Sequence, residues 1–86
     1  MEGMEYLTDP VQLAGIMGAL IILVFFALNE WGALTTEDFW YDFGNAIGST
    51  LLAVFAYATG SLPFLILNIV WALVSWRDVV TDILKR

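Results

Sequence analysis

From Phe43 to Trp76 the chain carries no charged residue, a run of 34 positions. One helical crossing of a bilayer needs only about 20 residues. A charge-free run of that length must therefore fold back on itself or be buried whole. Thr59-Gly60-Ser61-Leu62-Pro63 interrupts it, with glycine where a helix stops and proline where one begins. The run reads as two transmembrane helices joined by a tight hairpin at Gly60 and Pro63. An earlier uncharged stretch, Val11 to Asn29, adds 19 positions. At about 1.5 Å per residue it spans about 28 Å, close to the hydrocarbon thickness.

Composition closes the soluble alternative. Hydrophobic residues make up 60% of the chain and charged ones 14%. A chain of 86 residues has room for one domain, and a domain that small buries too little surface to hide so much apolar side chain from water. The expectation is an all-α integral membrane protein, a single domain over 1–86 built as a three-helix bundle. Its spans run over about 11–29, 38–59 and 62–80.

Local signals mark the ends. Asp9, Pro10 and Gln12 have the order of an N-cap, a first helical residue and a third-position amide. Gly32 is a stop, and Thr35 or Thr36 then caps the second helix, with Glu37 and Asp38 in its first turn. Trp31, Trp40 and Tyr41 are the amphipathic aromatics expected at headgroup level. The third span is short to Trp76 and continues beyond it, with Val79, Val80, Ile83 and Leu84 apolar and Arg77, Asp78, Asp82 and Lys85 wet. The segment Met1–Leu7 holds Glu2 and Glu5 and lacks the basic start of a signal peptide, so no processing is expected. The three basic residues, Arg77, Lys85 and Arg86, all follow the uncharged part of the last span, which ends at Trp76. The positive-inside rule then places the C-terminus in the cytoplasm and the N-terminus outside, in a multi-pass protein of the inner (plasma) membrane.

The chain has no Cys and no His. That removes thiol chemistry, the usual metal ligands and the commonest general base, and no Ser/His/Asp set or phosphate loop is present. No catalytic residue, metal site or cofactor is expected. With a net charge of −6, nucleic acid is excluded as a partner. The bilayer remains, and so does a second copy of the chain. Ala14, Gly15 and Gly18 in the first span, and Gly44 and Gly48 in the second, have the small side chains that let helices approach closely. Asn45, Ser49, Ala53, Ala56 and Gly60 make one small, polar stripe, which should turn toward protein.

Asn45 and Asn68 lie within the spans, where an amide without a partner is costly. Each either makes a hydrogen bond between helices or lines a polar path. Trp71 and Ser75 follow Asn68 on roughly the same face. Together they offer a flat apolar plate with hydrogen-bonding groups, suited to a small polar ligand with a ring-shaped body and equally to plain packing. Asp42 lies just inside the start of the second span; a carboxylate held within the membrane would be a functional candidate, but its place near the first turn reads more simply as reaching the headgroups.

Two stretches carry a family likeness. Asn45-Ala46-Ile47-Gly48 with Leu51-Leu52-Ala53, and Gly60 through Leu73 with Pro63, Asn68 and Trp71, resemble the CBU-like small membrane domain of bacteria. Its members are short three-span proteins with N-x-x-G in the second helix and P-x-x-x-x-N-x-x-W in the third. That family implies the fold and assigns no activity. More distantly the chain is similar to SemiSWEET sugar transporters, three-span chains that work as pairs. Pro63 and Asn68 match their third helix, and the resemblance implies that Asn68 contacts solute. Two of that family's features are missing here: a tryptophan within the second helix beyond Trp40 at its very start, and a Pro-Gln pair in the first. Three short helices cannot enclose a ligand-sized path alone, so a homodimer about an axis along the membrane normal is expected. The function expected is a transporter-like module with a path for a small polar solute. The alternative is a structural or accessory membrane subunit that moves nothing.

Overall fold

The structure is a computed structural model and describes residues 9–85. The acidic start with Glu2 and Glu5, and the basic Arg86 used for orientation, lie outside the described residues. Three helices follow one another: α1 Pro10–Glu30, α2 Phe39–Thr59 and α3 Leu62–Leu84.

Each boundary has a local cause. Asp9 accepts from the Val11 N–H at 2.9 Å, and Pro10 takes the first helical position, where its missing N–H costs nothing. At the other end of α1, Gly32 adopts φ +80°, and the Ala33 N–H returns to the Leu28 carbonyl at 2.9 Å. The Asn29 amide donates to the Leu34 carbonyl at 2.9 Å and pins the loop to the helix it leaves.

The start of α2 differs from the expected one. Neither Thr35 nor Thr36 stands at its N-cap; Asp38 does, without a capping bond from its side chain, and the helix begins at Phe39. Thr35 is tied up in the turn before. Its N–H donates to Asp38 Oδ2 at 2.7 Å, and its hydroxyl accepts from the Glu37 N–H at 3.3 Å. A threonine bonded to its own turn offers the backbone an alternative to helix. Gly60 closes α2 with φ +75°, and the Ser61 N–H reaches back to Ala56 at 3.0 Å. Pro63 opens α3, which runs unbroken past Arg77 to Leu84.

Packing follows two seven-residue rhythms on α2. Toward α1 it turns Gly44, Gly48, Leu51 and Phe55; α1 answers with Gly15, Gly18, Ile22 and Phe25. Large meets small throughout. A Cβ placed on Gly15 would lie 2.6 Å from the Phe55 ring, and one on Gly44 would lie 2.6 Å from the Phe25 ring. At the crossing two glycines meet backbone to backbone, since a Cβ on Gly18 would come within 2.8 Å of the Gly48 carbonyl oxygen. On the other face, Asp42, Ala46, Ser49, Ala53 and Ala56 of α2 meet α3, whose buried residues are Asn68, Ser75 and Val79. Spacings of three and four repeated in this way are those of helices packed in a shallow left-handed crossing.

α2 is thus the middle layer. Among the described residues α1 and α3 pack on it and not on each other, in a slab of 48 × 26 × 19 Å. The small, polar stripe expected to face protein does so at Asn45, Ser49 and Ala56, but Leu51 and Phe55 on the opposite side are also covered, by α1. With protein on two sides, α2 does not need the apolar surface of its neighbours. The lengths and hydropathies agree. α1 and α3, with mean hydropathies of 2.5 and 1.5, are long and apolar enough to cross a membrane.

The inside is polar and the outside apolar. The largest fully buried side chains are Asn68 and Ser49, while Leu23, Phe26, Ile66 and Leu73 are each more than half exposed. Soluble domains of this size are arranged the other way round.

Candidate functional site

Because α1 and α3 stand apart, a groove opens between them over α2. Its volume is about 490 Å³. Ile22, Leu23 and Phe26 form one wall, Trp71 the other, and Tyr41, Asn45 and Leu52 the floor. The residues along the floor are spaced by four and seven, which keeps them on one face of α2. Two of the four path residues read from the sequence therefore share this groove, Asn45 and Trp71. Asn68 and Ser75 are not among its lining residues. They point into the α2–α3 contact, Asn68 with 1% of its surface exposed.

The two amides find their partners at home. Asn45 donates from Nδ2 to the Tyr41 carbonyl at 2.8 Å, and Asn68 to the Phe64 carbonyl at 2.9 Å. Both bonds are one turn back in the same helix. The expected bond between helices is not the one made. Ser49, Thr50 and Thr59 behave alike, donating to the carbonyls of Asn45, Ala46 and Phe55 at 2.6, 2.6 and 2.9 Å. In a medium without water, a polar side chain that shares a carbonyl of its own helix satisfies its donor at no cost in helix–helix register. Thr50 then accepts from the Trp76 indole N–H at 2.9 Å, and this bond does tie α2 to α3. The Phe43 and Trp76 rings meet edge to face beside it, with centroids 6.1 Å apart.

A second basin, of about 590 Å³, opens where α2 begins and α3 ends. Thr36, Glu37 and Asp42 contribute from one side, and Arg77, Asp78, Thr81, Asp82 and Lys85 from the other. Asp42 does not reach out to the surface as read from the sequence; it is buried at 8% exposure. Asp82, read as wet, is half-buried against it. The signal for both was present. Position 82 continues the 68, 75, 79 stripe of α3, and position 42 continues the 46, 49, 53, 56 stripe of α2, so spacing places each in the contact whatever its charge. Among the described residues no group of three or more carboxylates, histidines or cysteines could hold a metal ion.

No curated protein and no solved structure matches the chain. A family model does, over residues 11–86, which includes all three helices. The match covers most of the chain, and the chain belongs to the CBU-like family.

Proposed function

We propose that the chain crosses the bilayer three times and pairs with a second copy, as a transporter-like module whose two grooves face each other around a path for a small polar solute. The observation that carries this reading is the open groove between α1 and α3. It is apolar on its walls, and Tyr41, Asn45 and Trp71 supply two polar groups and one flat ring inside it. A solute with a ring-shaped body and a few hydroxyl or amide groups fits such a lining. A lone copy leaves the groove open along one side, and a second copy would close it.

The membrane part of the reading rests on the inverted interior and on the two apolar outer helices. α2 crosses as the shielded middle layer. The likeness to SemiSWEET transporters supports the pairing and a role for Asn68 next to Pro63, although the Asn68 amide is bonded within its own helix. All three basic residues lie in the last turns of the third helix or beyond it, which favours a C-terminus in the cytoplasm and an N-terminus outside the plasma membrane.

A second reading is favoured by the satisfied amides. A protein whose buried polar groups are already bonded within its own helices needs no solute, and its apolar exterior could rest on a larger membrane partner as an accessory subunit. Proteoliposomes separate the two. On the transport reading, uptake of a small polar solute is saturable and drops at least tenfold in Trp71→Ala and in Asn45→Leu, with the melting temperature in detergent held. Absence of uptake for every sugar and amino acid tried, with self-pairing also absent, leaves the accessory reading standing.

A further inference from the structure

The basin between the start of α2 and the end of α3 brings together two carboxyl groups, a buried one on Asp42 and a half-buried one on Asp82. Asp42 is 8% exposed and lines the basin. The Asp82 carboxyl is within hydrogen-bonding reach of it, and Asp82 Oδ2 is buried with no hydrogen-bond partner. Ionised carboxylates only accept hydrogen bonds, so two in contact lack the hydrogen that would join them. Like charges at that distance repel, and a single shared proton turns repulsion into a short, strong bond.

The neighbours do not relieve the pair. Around it on α3 are Arg77, Asp78 and Lys85; the loop before α2 brings Glu37, and α1 contributes nothing to the basin. The Arg77 guanidinium is committed to Asp78, at 3.2 Å and largely in solvent. Asp78 adds a further negative charge. Among the described residues no other ion pair forms, so Lys85 does not reach either carboxylate.

We propose that Asp42 and Asp82 form a proton-binding site, in which one proton taken from water is held between the two carboxyl groups and clasps α2 to α3. It occupies the last position of the stripe that Asn68, Ser75 and Val79 begin. The inference needs no solute path and stands or falls apart from transport.

Infrared spectroscopy of the purified full chain in detergent tests it. Wild type near neutral pH should show the carbonyl stretch of a protonated carboxylic acid, shifted in heavy water and abolished as the pH is raised. Asp42→Asn and Asp82→Asn should each lose the band. Asparagine brings its own N–H to the remaining carboxylate, so the wild-type fall in melting temperature with rising pH should flatten in both variants. A wild type without the band at neutral pH overturns the proposal, and this measurement needs no variant to fold. So does a band that survives in both variants. A band erased by millimolar sodium or calcium at fixed pH would make the occupant a metal ion and overturn it equally.

Discussion

Gly18 and Gly48 meet where α1 crosses α2, with nothing but backbone between the two helices. A Cβ on Gly18 would sit 2.8 Å from the Gly48 carbonyl oxygen, an atom that cannot swing aside. Gly18→Ala should therefore destabilise the protein by about 1–3 kcal/mol, as overpacking does. Gly32 gives the contrast. Nothing lies within 4 Å of a Cβ there, but its φ of +80° is left-handed, so Gly32→Ala should cost about 1–2 kcal/mol through backbone strain alone. Thermal melts in detergent measure both. Asn68→Leu should shift stability by less than about 1 kcal/mol, because the amide it removes bonds only to a carbonyl already serving the helix. A larger loss would show a partner across the interface. At this scale the sequence tells which positions are small, and Gly15, Gly18, Gly44 and Gly48 could be read from it. It does not tell what each small position faces. Phe25 and Phe55 fill the notches, and no spacing within one helix reveals the register of its neighbour.

α2 and α3 are fastened about midway along α2 by Trp76, whose indole N–H reaches the Thr50 hydroxyl at 2.9 Å. Trp76→Phe keeps the ring against Phe43 and removes the donor, so it should cost about 1 kcal/mol. Thr50→Val should cost no more when made on top of it, and a double-mutant cycle reads the coupling. The elements themselves were legible from caps and breakers: Asp9 with Pro10, Gly32, and the Gly60–Pro63 corner all act where their chemistry places them. The start of α2 was not, because two threonines and two acids in a row offer several caps. Only the turn that binds Thr35 to Asp38 decides among them. The heptad stripe reaching Asp82 was also legible. Charge hid it, since an aspartate near a helix end reads as wetted until its spacing is counted.

Across the whole molecule, polar groups lie inside and apolar ones outside. That much is what the uncharged runs lead one to expect, since a chain this short buries too little surface to hide them. The groove does not follow, because α1 and α3 are kept apart by the bulk of α2 between them, and no residue announces that separation. Pairing is testable without background because the chain contains no cysteine. Leu23 lies at the groove's rim and is 59% exposed, so in the pair proposed above it would face the second copy. Leu23→Cys should give a disulfide-linked dimer under mild oxidation in membranes. Leu84→Cys, at the tip of α3, should give far less. Equal yields from the two positions would mean random collision.

The middle layer also sets how such a chain can be made. On the three-crossing reading proposed above, α1 is apolar enough to leave the insertion machinery for the bilayer by itself. α2, carrying Asp42, Asn45, Ser49 and Thr50, is a poor substrate for that sideways step while it is alone. The tight corner at Gly60 brings α3 up within two residues of its end. On that reading the second and third helices should be released together as a ready-made pair, and a nascent chain in which a polar tether long enough to clear the ribosome replaces α3 should leave α2 still held by the insertion machinery.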